Sequence, residues 1–211
     1  KGIQAKIPLS MPKGPVDVSG FSGTIHVGAA QGLKTVSDVA FVLNFGAPVN
    51  GDVTFLLDDA TYTETGFNLG TITYGPGGPF TVTFRPNNGV SVTSTVTCTS
   101  VGGFILTGVS HVTFEGTSLG GTPGGPCGDP AARNWHIIAA NYVANTQGTI
   151  VIRNSSNHVT VADCNVEGVL ISNNGSRCIA ITNAALPIQS NIVVQNCAIH
   201  TGREGIVSVG V

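Results

Sequence analysis

The sequence predicts an all-β fold in which short parallel strands stack into a solenoid. Three observations carry this. First, a β-branched phrase keeps returning: Val53-Thr54-Phe55, Val82-Thr83-Phe84, Val112-Thr113-Phe114 and Val159-Thr160-Val161, with looser copies at Trp135-His136-Ile137 and Ile192-Val193-Val194. Their first residues lie 29, 30, 23, 24 and 33 positions apart, the interval at which a solenoid repeats its strands. Second, charged residues make up only 9% of the chain and glycines number 29, against roughly 25% charge in ordinary soluble proteins. Surface polarity then rests on Thr, Ser and Asn, as in a β-rich protein with many turns. Disorder would need low hydrophobicity and high charge. Third, one amphipathic helix precedes the strands, where a solenoid needs a lid over the open end of its core.

Residues 1–22 form a segment of their own, rich in Gly and Pro. Ile3, Ala5, Ile7 and Leu9 alternate with polar or neutral residues, which permits one strand. Pro8, Pro12 and Pro15 confine that strand to an edge, an extended arm or a linker; a disordered lead-in fits the same composition. The stack is expected over 23–211. Gly23–Val27 reads as a strand. Thr35–Phe45 reads as the helix, with Val36, Val39, Ala40 and Leu43 on one face. Ser37 or Thr35 can cap it, Asp38 sits in its first turn, and Gly46 and Pro48 end it.

From Asp52 the repeats run. Strand alternation puts the first and third residue of each phrase on one side and the middle one on the other. The expected inward columns are Val53, Val82, Val112, Trp135, Val159, Ile192 and Phe55, Phe84, Phe114, Ile137, Val161, Val194. The outward column is Thr54, Thr83, Thr113, His136, Thr160, Val193. Trp135 is placed inward because the opposite register buries His136 without a partner. A second strand family precedes the first across short turns: Phe104–Leu106, Thr149–Ile152, Cys178–Thr182 and Gly205–Val209. Thr117–Arg133 is the most irregular loop. Six layers at about 4.8 Å stack to roughly 29 Å.

The phrases TIVIRNSSNHVTVADC (149–164) and NIVVQNCAIHTGREGIVSVG (191–210) resemble the right-handed parallel β-helix of pectate-lyase-like proteins. The fuller order (GTIHVG, the helix, DVTFLLDDATYT, FTVTFRP, VTFEG, then the N-C phrases) is similar to secreted β-helix modules of large bacterial surface proteins. The resemblance covers about 23–211. It implies a right-handed parallel β-helix with a capping helix at about 35–45. Function does not follow, because this fold hosts lyases, hydrolases, adhesins and fibres.

The net charge of −2 offers no footprint for nucleic acid. No apolar run reaches the roughly 20 residues of a membrane span. The chain starts at Lys1 and reads as processed or partial. Its five cysteines, Cys98, Cys127, Cys164, Cys178 and Cys197, contain no C-x-x-C pair, which argues against a zinc knuckle or a thioredoxin-like motif. Cys164 and Cys197 occupy equivalent places in VADC and VQNC, either as stacked buried thiols or as a disulfide. Cys98 and Cys127 could pair across a loop.

The resemblance brings two catalytic patterns for comparison. Pectate lyases of this fold use acidic calcium clusters with an arginine base, and the galacturonan hydrolases use clustered aspartates with Gly-His-Gly. Neither pattern is present. The best catalytic candidates are His200, Arg203 and Glu204, with Asp163 and Glu167 one layer back, placed as an acid and a base could be for glycoside cleavage. The plainer reading is a solvated turn with a weak Arg203–Glu204 pair. Asp58-Asp59 reads as a turn before it reads as a calcium site. Trp135 reads as core before it reads as a sugar platform. Asn154-Ser155-Ser156 and Asn174-Gly175-Ser176 match glycan sequons. A Thr column is also how ice-binding faces are built, but His136 and Val193 interrupt this one. No metal site and no cofactor are expected.

The function expected is structural or adhesive: an extracellular or cell-surface bacterial protein, a fibre subunit or a module of a large surface protein. Its partners would be copies of itself, head to tail, or the rest of a longer chain, and the joint would lie at the termini. Ile3, Ala5, Ile7 and Leu9 would supply one side of that joint, and Gly205, Ile206, Val207 and Val209 the other. The rival class is a carbohydrate-active enzyme or carbohydrate-binding module with polysaccharide as its partner. Enzymatic activity is the less favoured of the two.

Overall fold

A computed structural model describes residues 20–46, 48–123, 129–141, 148–169, 177–182, 189–201 and 204–209. The arm residues Ile3, Ala5, Ile7 and Leu9, together with Cys127, Arg203 and the Asn174 sequon, lie outside the described residues. The elements are β1 (Phe21–Val27), α1 (Val36–Phe45), β2 (Val49–Leu57), β3 (Thr61–Thr65), β4 (Asn68–Leu69), β5 (Val82–Pro86), β6 (Val92–Thr97), β7 (Phe104–Thr107), β8 (Ser110–Glu115), β9 (Trp135–Ala139), β10 (Ile150–Arg153), β11 (Asn157–Ala162), β12 (Cys164–Glu167), β13 (Arg177–Thr182), β14 (Ser190–Gln195), β15 (Ala198–His200) and β16 (Glu204–Val209). A 3₁₀ turn spans Pro130–Ala132.

Apart from α1 and that turn, the regular structure of the described residues is all β-strand. Its strands form three parallel sheets, ordered β1-β2-β5-β8-β11-β14, β3-β6-β9-β12-β15 and β4-β7-β10-β13-β16. Apart from the β1–β2 pair, every pairing joins strands three apart in sequence. The chain therefore visits all three sheets before it returns to the first, as parallel pairing requires of its long connections. Five such rungs follow one another, from β2-β3-β4 to β14-β15-β16.

Period-2 alternation and register build the core. In the first sheet Val53, Val82, Val112, Val159 and Ile192 align, as do Phe55, Phe84, Phe114, Val161 and Val194. Phe55 and Phe84 stack with centroids 5.3 Å apart, and Phe84 lies 5.3 Å from Phe114. Trp135 is buried, as expected of an inward residue, but it belongs to another column. It lies in the second sheet between Val92 and Cys164. Its ring meets Phe114 edge-on at 5.5 Å and its indole N–H donates to Ser94 Oγ at 2.9 Å. The phrase Trp135-His136-Ile137 has the same period as its neighbours, so alternation alone could not assign it to a sheet. The short intervals of 23 and 24 on either side of it together make one rung. The second strand family falls as expected into the third sheet, as β7, β10, β13 and β16.

The helix starts one residue later than the sequence suggested, at Val36. Thr35 is its N-cap: Thr35 Oγ1 accepts from the Asp38 N–H at 3.1 Å, and Asp38 Oδ2 accepts from the Thr35 N–H at 3.0 Å. This reciprocal capping box fixes the entry of the chain. Val36, Val39, Ala40 and Leu43 are buried and join the same apolar cluster as Phe55, Phe67 and Leu69. The outer face carries Phe41 and Phe45, 52% and 79% exposed. Glu64 explains how the helix is held. It points inward from β3 and is fully buried. Its carboxylate accepts from the Val36 N–H at 3.0 Å, the Ser37 N–H at 2.9 Å and the Ser37 hydroxyl at 2.5 Å. A buried acid satisfied by the orphan donors at a helix N-terminus is electrostatically well placed. Burial still pushes the Glu64 carboxyl above its ordinary pKa, and the Ser37 and Val36 donors offset only part of that.

The other end of the stack is different. The inward residues of the last rung, Ile192, Val194 and Ile199, are only half-buried. Ile206 of β16 is 50% exposed, although it aligns with the fully buried Ile179 of the preceding rung.

Candidate functional site

The outward face of the second sheet carries a row of titratable side chains, His136, Glu167 and His200. Along β12, Val166 points into the core, so Glu167 points out. Register places His200 directly beside Glu167 on β15. On the other side, His136 of β9 donates from Nε2–H to Glu167 Oε2 at 3.0 Å. Three rungs thus bring His136, Glu167 and His200 to one face. Sequence reading placed Glu167 one layer behind His200, as found. It missed His136, whose assignment to the first sheet hid its position beside Glu167.

The remaining catalytic candidates sit elsewhere. Asp163 is buried in the turn between β11 and β12, with φ of 52°. Its counterpart one rung on is Asn196, also at φ 52°. Both residue types tolerate this left-handed conformation. Glu204 opens β16 in the third sheet, where it accepts from Arg177 Nε at 2.7 Å. That pair is half in solvent, the environment in which ion pairs contribute about 0–1 kcal/mol. The surface partner of Glu204 among the described residues is therefore Arg177. The structure joins His200 to Glu167 and leaves Asp163 and Glu204 on other corners.

Asp58 and Asp59 follow β2 at a turn and serve as a tie. Asp58 accepts from His26 Nδ1 at 2.9 Å, Gln31 Nε2 at 3.1 Å and Asn87 Nδ2 at 2.8 Å, and Asp59 accepts from the Ala29 N–H at 2.6 Å. Among the described residues no cluster of three or more His, Cys, Asp or Glu is arranged to hold a metal. No helix of the described residues is long and apolar enough to cross a membrane.

The outward Thr column differs from the expected one. With His136 in the second sheet, Thr24, Thr54, Thr83, Thr113 and Thr160 align one per strand without interruption, and Val193 follows. It remains a single column; Leu56 and Arg85, two residues on, carry its neighbour. Arg85 turns its guanidinium away to the Thr117 and Ser118 carbonyls at 2.9 Å.

His111 and His158 stack on adjacent rungs with centroids 4.5 Å apart, and Asn191 Nδ2 reaches His158 Nε2 at 3.2 Å. All three have positive φ, so they form a bulged outer corner of the first sheet. Partial burial and the neighbouring His158 hold the His111 imidazole below its ordinary pKa.

Comparisons of the chain with protein-family models, with curated proteins and with solved structures returned no match.

Proposed function

We propose that the rungs wind as a right-handed parallel β-helix, and that the protein is an extracellular structural or adhesive element that assembles through its two ends. The observation that carries this reading is the half-exposed Ile206 above the fully buried Ile179. The helix end of the core is roofed by Val39, Ala40 and Leu43, whereas the last rung offers apolar side chains and three strand edges that carry no further strand among the described residues. Such edges template another strand. The alternating Ile3, Ala5, Ile7 and Leu9 of a second copy is the occupant proposed, by strand addition. Contacts of this head-to-tail kind give open filaments when the rotation does not close. Low charge and a Thr-lined surface support the same reading.

The test is sedimentation velocity on the intact chain, on a chain lacking residues 1–22 and on Ile206→Asp. Both variants are expected to keep β-rich circular dichroism and to sediment as single copies while the intact chain polymerises. Unchanged polymers in both would overturn the proposed joint.

The row His136–Glu167–His200 favours a second reading, a carbohydrate-active or carbohydrate-binding face. It carries one carboxylate, whereas glycoside cleavage ordinarily needs two.

A further inference from the structure

Two thiols meet between the last two rungs. Asn165 pairs with Ala198, and Val166 with Ile199, so Cys164 and Cys197 are the preceding neighbours in register. Adjacent strands lie about 4.8 Å apart, inside the Cα separation that a disulfide accepts, about 4.4–6.8 Å. Both cysteines are free thiols; Cys164 Sγ donates to the Ala162 carbonyl at 3.2 Å, and Cys197 Sγ to the Gln195 carbonyl at 3.3 Å and the Val161 carbonyl at 3.5 Å. Cys164 is fully buried, at the foot of Trp135. Cys197 is partly exposed. Arg133 lies beside it, with Nε donating to the Asn196 carbonyl at 2.7 Å.

We propose that Cys164 and Cys197 form an oxidisable dithiol that closes into a disulfide and staples the last rung to the one before it.

The two sulfurs are not equivalent. Hydrogen bonding from Cys164, with a smaller contribution from the Arg133 charge, holds the Cys197 thiol below its ordinary pKa despite its burial. Donation to Cys197, burial and the nearby Glu115 and Asp163 carboxylates push Cys164 up. Cys197 is therefore the entry point, since the thiolate is the nucleophile. With a small-molecule disulfide as oxidant, the Cys197 thiolate attacks one of its sulfurs and releases the first small thiol. Cys164 then loses its proton and attacks Cys197 Sγ, releasing the second. One oxidant disulfide becomes two thiols, which carry away both protons, and one protein disulfide forms. The remaining described thiols lie apart from this pair: Cys98 follows β6, where burial pushes it up to about 11, and Cys178 lies on β13 of the third sheet. An extracellular setting would supply the oxidising conditions. The staple acts on the same end of the stack as the proposed joint but does not depend on it.

The test is peptide mapping of the folded full chain after treatment with oxidised glutathione, acid quenching and alkylation. The expected product is a peptide holding Cys164 linked to one holding Cys197, with both thiols lost to alkylation. Cys98→Ser should leave that product unchanged and Cys197→Ser should remove it. The proposal is overturned if both thiols stay alkylatable, if Cys197 stops as a glutathione adduct, or if it pairs with Cys127. Sedimentation of the same samples reports assembly separately, so a cross-link without polymers, or polymers without a cross-link, distinguishes the failure of one reading from the failure of the other.

Discussion

Ile206 stands in register on Ile179, yet one is half exposed and the other fully buried. In the same column Phe104 and Ile150 are also fully buried. Full burial of an isoleucine stabilises by about 1.5–3 kcal/mol, and Ile206 realises only part of that. Ile206→Asp is therefore expected to lower stability by no more than about 1 kcal/mol. Ile179→Ala, one rung inward, should cost about 2–5 kcal/mol. Urea denaturation of both variants in the chain lacking residues 1–22, which is expected to stay a single copy, checks this contrast; equal costs would mean that Ile206 is covered within one copy.

Gly116 packs against the backbone of the next rung. A Cβ there would sit 1.8 Å from the Asp163 carbonyl oxygen and 2.8 Å from the Cys164 N–H nitrogen. Backbone cannot swing aside as a side chain can. Gly116→Ala should therefore force two rungs apart and cost about 1–3 kcal/mol. Gly66→Ala is the control for conformational cost alone. Gly66 has φ of 83° but open space at its Cβ, so it should lose about 1 kcal/mol. Thermal melts of the pair separate close approach from backbone strain.

Glu64 makes stability depend on pH with a definite sign. Its folded pKa is raised above the unfolded value, so the folded state holds the proton more tightly. The Glu64 contribution is then most favourable below the unfolded pKa, about 4.3. It is lost as pH rises from there through the folded pKa. Glu64→Gln should flatten this part of the stability profile. Glu64→Ala strips acceptors from Val36 and Ser37 at all pH values and should cost about 2–3 kcal/mol. Urea midpoints between pH 4 and 8 read both effects.

Closing Cys164 to Cys197 should raise stability by roughly 3 kcal/mol through loss of unfolded-state freedom. Comparing urea midpoints of oxidised and reduced protein checks this, with Cys197→Ser expected to show no difference.

Much of the fold was legible because its signals are local. Alternation in Val53-Thr54-Phe55 and its copies named the inward residues correctly, and Val36, Val39, Ala40 and Leu43 gave the buried face of α1. What alternation cannot carry is sheet identity. Trp135-His136-Ile137 has the same pattern in either sheet, and only pairing with Val92 and Cys164 decides it. That one assignment also hid the unbroken Thr column and the His136–Glu167 contact. Glu64 was unreadable for a different reason. An acid between Tyr62 and Phe67 looks like an outward strand residue until the helix N-terminus that it satisfies is in place. The thiol pair, by contrast, was visible in VADC and VQNC, because equivalent positions in successive rungs become neighbours.

The central claim is assembly through the two ends, and negative-stain electron microscopy of the intact chain tests it most directly. Filaments with an axial repeat of roughly 29 Å or slightly more, six strand spacings, are the expected result, and they should vanish when residues 1–22 are removed. Discrete single particles at every concentration would contradict it.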